Sequence, residues 1–360
     1  MSSRDRSSLG QLLALCSVAA LTPALRLLPG ATALLAGRGA WLSVLLALPL
    51  AMAYGAFLWR FARMRREGES LAALWRRAAG ERLGALLLTL AGLWFVFYAA
   101  FTLRDSAQRL IDTVYPHADR RFFILTLGPA AALAGAGGTL RLSRAARLTL
   151  PLMIGTVALT LVFALPELHA DNLLPIAGRD VPALLRGTLP TLDVAGLILV
   201  LLFFLSEDLR DAEGCRPVSL RIGLLGSLMA ALVAAIVGAF GHELTARLSR
   251  PYFSLVCSLV LFHTLERMEA LLAALWIFSD FLLTAALLRA ARRCLAPLLP
   301  RERLLAVLIG AAAVLAACLL APGETAFLHL STRWVPALNA GVCLLLMPGV
   351  FLAGKLRHRL

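Results

Sequence analysis

LGQLLALCSVAALTPALRLLPG (residues 9–30) and LPTLDVAGLILVLLFFL (residues 189–205) are the stretches that decide the fold. Each belongs to an apolar run of bilayer-spanning length, about 20 residues, and each carries groups that hydrocarbon penalises. In the first, Pro23 lacks an N–H and its ring crowds the carbonyl four residues back, so the carbonyls of Ala19 and Ala20 can be freed beside the Thr22 hydroxyl. In the second, Pro190, Asp193 and Gly196 fall close together ahead of a strongly apolar run. Asp280 stands in a third such run, 264–288. Buried charge and unpaired backbone are tolerated in a membrane mainly where protein encloses them or where they line a cavity. The expectation is an all-α polytopic membrane protein with a small polar site near mid-membrane.

Composition agrees. The chain is 60% hydrophobic and 16% charged, with a mean hydropathy of +0.82; soluble domains carry roughly 25% charged residues. The formal net charge of +14 would suggest nucleic acid on a soluble protein, but here the basic residues cluster between apolar runs and set topology instead, so no nucleic-acid partner is expected. All but Lys355 are arginines. The six cysteines show no CxxC spacing and most lie in apolar runs, which argues against a metal site or a disulfide framework. No phosphate-binding loop, GxSxG or HExxH is present, so neither an enzyme nor a cofactor is expected. The first apolar run is too long for a secretory signal and is expected to be retained.

Ten spans are expected near 9–30, 40–61, 83–104, 122–138, 145–165, 187–205, 218–240, 264–288, 302–321 and 334–353, forming one membrane domain over residues 1–360. Placing both termini in the cytoplasm gives the cytoplasmic loops more than twice the Lys and Arg of the outer ones. Two further stretches read as amphipathic. Residues 70–77 are expected along the cytoplasmic interface with Trp75 at headgroup depth, and residues 243–261 on the outer face.

Broken helices supply backbone groups and half-helix dipoles to substrates in transporters. Spans one and six lie five apart, the spacing of equivalent helices in a five-plus-five inverted repeat. The candidate ligand site is therefore Leu21, Thr22 and Pro23 with Thr191, Asp193, Ala195 and Gly196, and with Tyr98 and Ser279 at its edge. Freed carbonyls and a carboxylate suit an ammonium group, and a half-helix N-terminus suits a carboxylate. The alternatives are a simple proline kink in span one and a wet outer end for Leu189–Asp193. Asp105, Glu266 and Asp280 are the candidates for proton-carrying or gating roles. By helix rise Asp280 is expected about 20 Å beyond Glu266, in the inner part of its span. Arg26 is expected to snorkel outward or to face an anionic partner.

The chain also resembles the spore germination permease family, the B subunit of three-part germinant receptors within the amino acid/polyamine/organocation superfamily. The resemblance rests on Arg250-Pro251-Tyr252-Phe253-Ser254-Leu255-Val256, then Leu265-Glu266-Arg267-Met268-Glu269-Ala270-Leu271 and Ala274-Leu275-Trp276-Ile277. Ser8-Leu9-Gly10-Gln11, Leu28-Pro29-Gly30, Leu103-Arg104-Asp105 and Asn172-Leu173-Leu174-Pro175 add to it. It implies a leucine-transporter-like fold with broken helices one and six, a pocket walled by helices three and eight, and a small nutrient ligand, often an amino acid. It further implies A and C subunits as partners in a bacterial spore or cell inner membrane. A proton- or sodium-coupled amino-acid permease is the competing reading.

Cysteines introduced singly into the 62–80 loop should react with impermeant maleimide only after the membrane is opened. Labelling from outside intact cells would reverse the topology.

Overall fold

Helix α1 (Leu9–Ala36) begins where Ser8 caps it. The Ser8 hydroxyl accepts from the Gln11 N–H at 3.3 Å and the Gln11 side chain accepts from the Ser8 N–H at 2.9 Å, a reciprocal capping box. The computed structural model describes residues 7–66, 69–113, 115, 117–209, 216–259, 268–299, 301–320 and 323–357. Among them follow α2 (Ala40–Arg63), α3 (Leu71–Ala79), α4 (Glu81–Thr113), α5 (Arg120–Ala136), α6 (Thr139–Ala164), α7 (Val181–Leu205) and α8 (Arg216–Phe240). Next come the short α9 (His242–Arg247) and α10 (Pro251–Ser258), then α11 (Met268–Leu295) and α12 (Glu302–Leu319). The last helix, α13, runs over residues 324–356, with π-helical turns at Leu330–Trp334 and Gly341–Leu346. Among the described residues, eight helical stretches are long and apolar enough to span a membrane, and the first of these, Leu9–Arg63, holds both α1 and α2. With the 17-residue α5 they account for the ten expected spans.

α1 packs along α7, α6 and α8, and α4 packs along α11. One face of the bundle gathers both ends of the described chain. Ser7 pairs with Leu209 just beyond α7, and its N–H donates to the Asp208 carbonyl at 2.8 Å. Arg357 reaches the Ala79 carbonyl at 2.6 Å. Arg38 bonding the Leu174 carbonyl (3.0 Å) and Asn172 bonding the Gly238 carbonyl (2.8 Å) mark the opposite face.

The two expected breaks are corrected in detail. α1 is helical straight through Thr22 and Pro23, and α7 through Pro190 to Gly196. Proline removes one backbone hydrogen bond, but the flanking hydroxyls turn back onto their own helix: Thr22 donates to the Val18 carbonyl at 3.0 Å and Ser17 to the Leu13 carbonyl at 2.6 Å. With packing on several sides, the lost bond does not open the helix.

Trp75 is corrected as well. Gly80 (φ +95°) makes a turn that L-residues rarely adopt, folding α3 back on α4. Trp75 is thereby fully buried, its ring 5.5 Å from that of Phe204, and packs inside the protein instead of facing headgroups. Glu69 anchors this corner by accepting from the Arg66 N–H (2.8 Å) and from the Arg77 guanidinium (2.9 Å). Burial alone would raise its pKa, but these bonds outweigh burial and hold it below the ordinary carboxylate range.

A Cβ on Gly135 of α5 would stand 2.6 Å from the Ala285 carbonyl oxygen of α11, a backbone atom that cannot step aside. Gly135→Val should therefore cost about 1–3 kcal/mol and lower the melting temperature in detergent. Gly155→Ala, which meets open space, should not. Equal melting temperatures for the two variants would contradict this packing.

Candidate functional site

Asp193 projects from α7 toward α4 and α13. It faces Asn339, which also stands beside Tyr98. Asn339 accepts from the Trp94 indole N–H at 3.0 Å, while its amide nitrogen is buried without a hydrogen-bond partner. Tyr98 is buried between Trp94 and Phe101, with ring centroids 6.2 and 5.7 Å away. Among the described residues no cation pairs with Asp193. A carboxylate, a phenol and an amide thus converge from three helices without neutralising one another.

The predicted ligand residues divide between two places. Leu21, Thr191 and Ala195 line an apolar crevice of about 100 Å³ between α1, α2, α7 and α8. The Thr191 hydroxyl is buried there without a partner. Asp193 and Tyr98 lie on the other side of α7, with Asn339. Thr22 and Pro23 are buried in α1 and are not part of the cavity wall. Gly196 also turns from the cavity: a Cβ there would stand 2.8 Å from Cys343 Sγ in α13, so the residue is a packing contact. Ser279 returns its hydroxyl to the Trp276 carbonyl at 2.9 Å in its own helix. Asn339 escaped the sequence reading, although an amide inside an apolar run is the same kind of signal that marked Asp193.

The acidic candidates divide differently. Asp105 and Asp280 belong to one buried ladder joining α1, α4 and α11. Arg26 pairs with Asp105, Asp105 with Arg109 at 3.0 Å, and Arg109 with Asp280 at 2.9 Å. Arg26 thus faces an anionic partner and does not snorkel. Its guanidinium lies 5.6 Å from the Phe101 ring centroid, and that of Arg109 lies 5.3 Å from the ring of Trp276. Two arginines and two aspartates leave the ladder neutral, the condition under which buried charges are tolerated. Asp280 is therefore buried in the core toward the Arg109 end of α4, away from the Ser7 face, and not in the innermost part of its span. Glu266 lies outside the described residues.

At the Ser7 face a second charged group ties the end of α7 to α11 and α6. Buried Asp208 pairs with Arg293 and accepts from Thr139, and Arg289 stands 3.5 Å away. Arg293 also donates to the Phe204 carbonyl at 3.0 Å. Arg65 reaches the Ser206 carbonyl at 3.3 Å.

These features define a transporter-fold membrane protein with one charged ladder in its interior and a second charged tie at the Ser7 face. The solved structure of Mhp1, a nucleobase-cation-symport-1 family transporter in a closed conformation with bromovinylhydantoin bound, matches with a TM-score of 0.65. The match covers 94% of this chain and 76% of that one at 13% identity, and it establishes the leucine-transporter-like fold. Spore germination protein KB of Bacillus subtilis is 24% identical over 282 residues, which is 77% of this chain and 74% of that protein. A family described as Spore germination protein matches residues 8–325. The chain belongs to this spore germination permease family and is an integral membrane protein.

Asp280→Asn and Arg109→Gln should each leave an unbalanced charge in the ladder. Breaking a buried pair costs about 3–5 kcal/mol. The double variant restores neutrality and should be more stable than the sum of the singles predicts, with a coupling of about 0.5–3 kcal/mol. Strict additivity in thermal unfolding would show that the pair does not interact.

Proposed function

We propose that this chain is the B subunit of a germinant receptor and binds a small nutrient of amino-acid type beside α7. The observation that carries this reading is Asp193, an acid within a span, facing Asn339 and Tyr98 and without a cationic partner among the described residues. It offers an acceptor for an ammonium group, and the Asn339 amide nitrogen beside it offers a donor for a carboxylate. Membership of a germination family supports sensing as the output, with A and C subunits as partners and the inner membrane of a spore or cell as the location. The excess of basic residues on the loops of the Ser7 face supports both termini being cytoplasmic.

A permease coupled to protons or sodium is the second reading. It is favoured by the fold shared with a cation-symport-family transporter and by acids within the spans. Uptake of a labelled amino acid into proteoliposomes, driven by an imposed proton or sodium gradient, separates the two.

The binding claim is tested on protein in nanodiscs, screened against the twenty L-amino acids by thermal shift. At least one should stabilise the parent. Asp193→Asn and Asn339→Leu should weaken that ligand tenfold or more, since each removes a polar partner of a charged group. Unchanged affinity in both variants would sink this site.

A further inference from the structure

The apolar cavity has a shape that a compact nutrient does not explain. On α1 its wall is one continuous stripe, including Leu13, Ser17, Leu21, Ala24 and Leu28. At 1.5 Å per residue that stripe is about 22 Å long. About 100 Å³ spread over such a length is a slot, narrow enough for a chain of methylenes. The Ser17 hydroxyl is satisfied within α1, so the α1 wall is apolar along the stripe, and the Thr191 hydroxyl of α7 is the unpartnered polar atom facing it.

One charged side chain lines the slot, the half-buried Arg221 of α8. It lies toward the Ser7 face, and it has company. Gly55 of α2 lies against Ile222 and Gly226 of α8 against Leu48. This antiparallel register puts the exposed Arg60 and Arg216 within about 10 Å, by helix rise, of the Gly55–Ile222 level on the same side. None of the three arginines forms an ion pair among the described residues. An apolar slot of acyl length with unpaired guanidinium groups at one end matches one chemistry.

We propose that the slot takes one acyl chain of an anionic phospholipid, whose headgroup phosphate lies against Arg221, with Arg60 and Arg216 adding positive charge further toward the Ser7 face. Guanidinium groups bind phosphate through paired N–H donors, and basic residues at a span end attract anionic headgroups. The lipid would press on α1 and α7 from the side opposite Asp193 and Tyr98. It is therefore distinct from the nutrient and does not depend on where the nutrient binds.

The test uses the full chain, delipidated in detergent and titrated with dioleoyl phosphatidylglycerol, dioleoyl phosphatidylcholine or glycerol 3-phosphate, with bound lipid counted by native mass spectrometry. One phosphatidylglycerol per chain should persist, at least tenfold tighter than phosphatidylcholine, and glycerol 3-phosphate should not compete. Arg60→Gln/Arg221→Gln should abolish the preference for the anionic lipid. Ser17→Phe should weaken both lipids and leave their ratio unchanged. Three results would overturn the proposal: equal affinity for the two lipids, full competition by glycerol 3-phosphate, or Ser17→Phe blocking amino-acid binding while lipid retention stays intact. The first means no headgroup site, the second a free-anion site, and the third a slot that belongs to the nutrient. Ser17→Phe is read only if it elutes as a single folded species; if it does not, Ala24→Leu serves in its place.

Discussion

Charge neutrality in a dry interior is the constraint around which this molecule is arranged. Arg26, Asp105, Arg109 and Asp280 come from three helices far apart in sequence, and none of them could be left alone in hydrocarbon. Their pairing fixes how α1, α4 and α11 are rotated about their axes, because only one rotation of each brings the four groups into line. Phe101 and Trp276 cover two of the guanidiniums and hold the arrangement in place. The ladder sets the walls, and Asp193 and Tyr98 meet Asn339 on the core side of α7.

Against that neutral ladder, Asp193 stands out. It is the acid in these spans that the protein leaves without a cation among the described residues. Such a group adds nothing to stability by itself, which is why the binding proposal rests on it. The apolar slot on the far side of α7 makes the same point by contrast. One helix separates the polar group around Asp193 from an apolar wall.

Much of the architecture was legible in the sequence because a bilayer demands long apolar runs, and these can be read without knowing how they pack. All ten runs reappear as helices, including the glycine-rich one at α5. What could not be read was whatever neighbours decide. Pro23 announces a missing hydrogen bond, but whether the helix opens there depends on the surrounding packing, and here it stays closed. Asp105 and Arg109 stand four apart on one helix, whereas the link to Asp280 requires two helices to be brought together. Gly196 read as space for a ligand, yet the space is taken by Cys343. Trp75 read as an interfacial ring because its helix is amphipathic, and the turn at Gly80 folded that ring inward.

The two π-helical turns of α13 flank the short α-helical segment that carries Asn339. A π turn holds about one residue more than the α turn it replaces, and one residue is about 100° of rotation at 3.6 residues per turn. Asn339 therefore owes its inward direction to a phase offset stored in the helix itself. Moving such an extra residue along the backbone, from one side of Asn339 to the other, would swivel this amide away from Trp94 and Tyr98 while the ends of α13 stayed where they are.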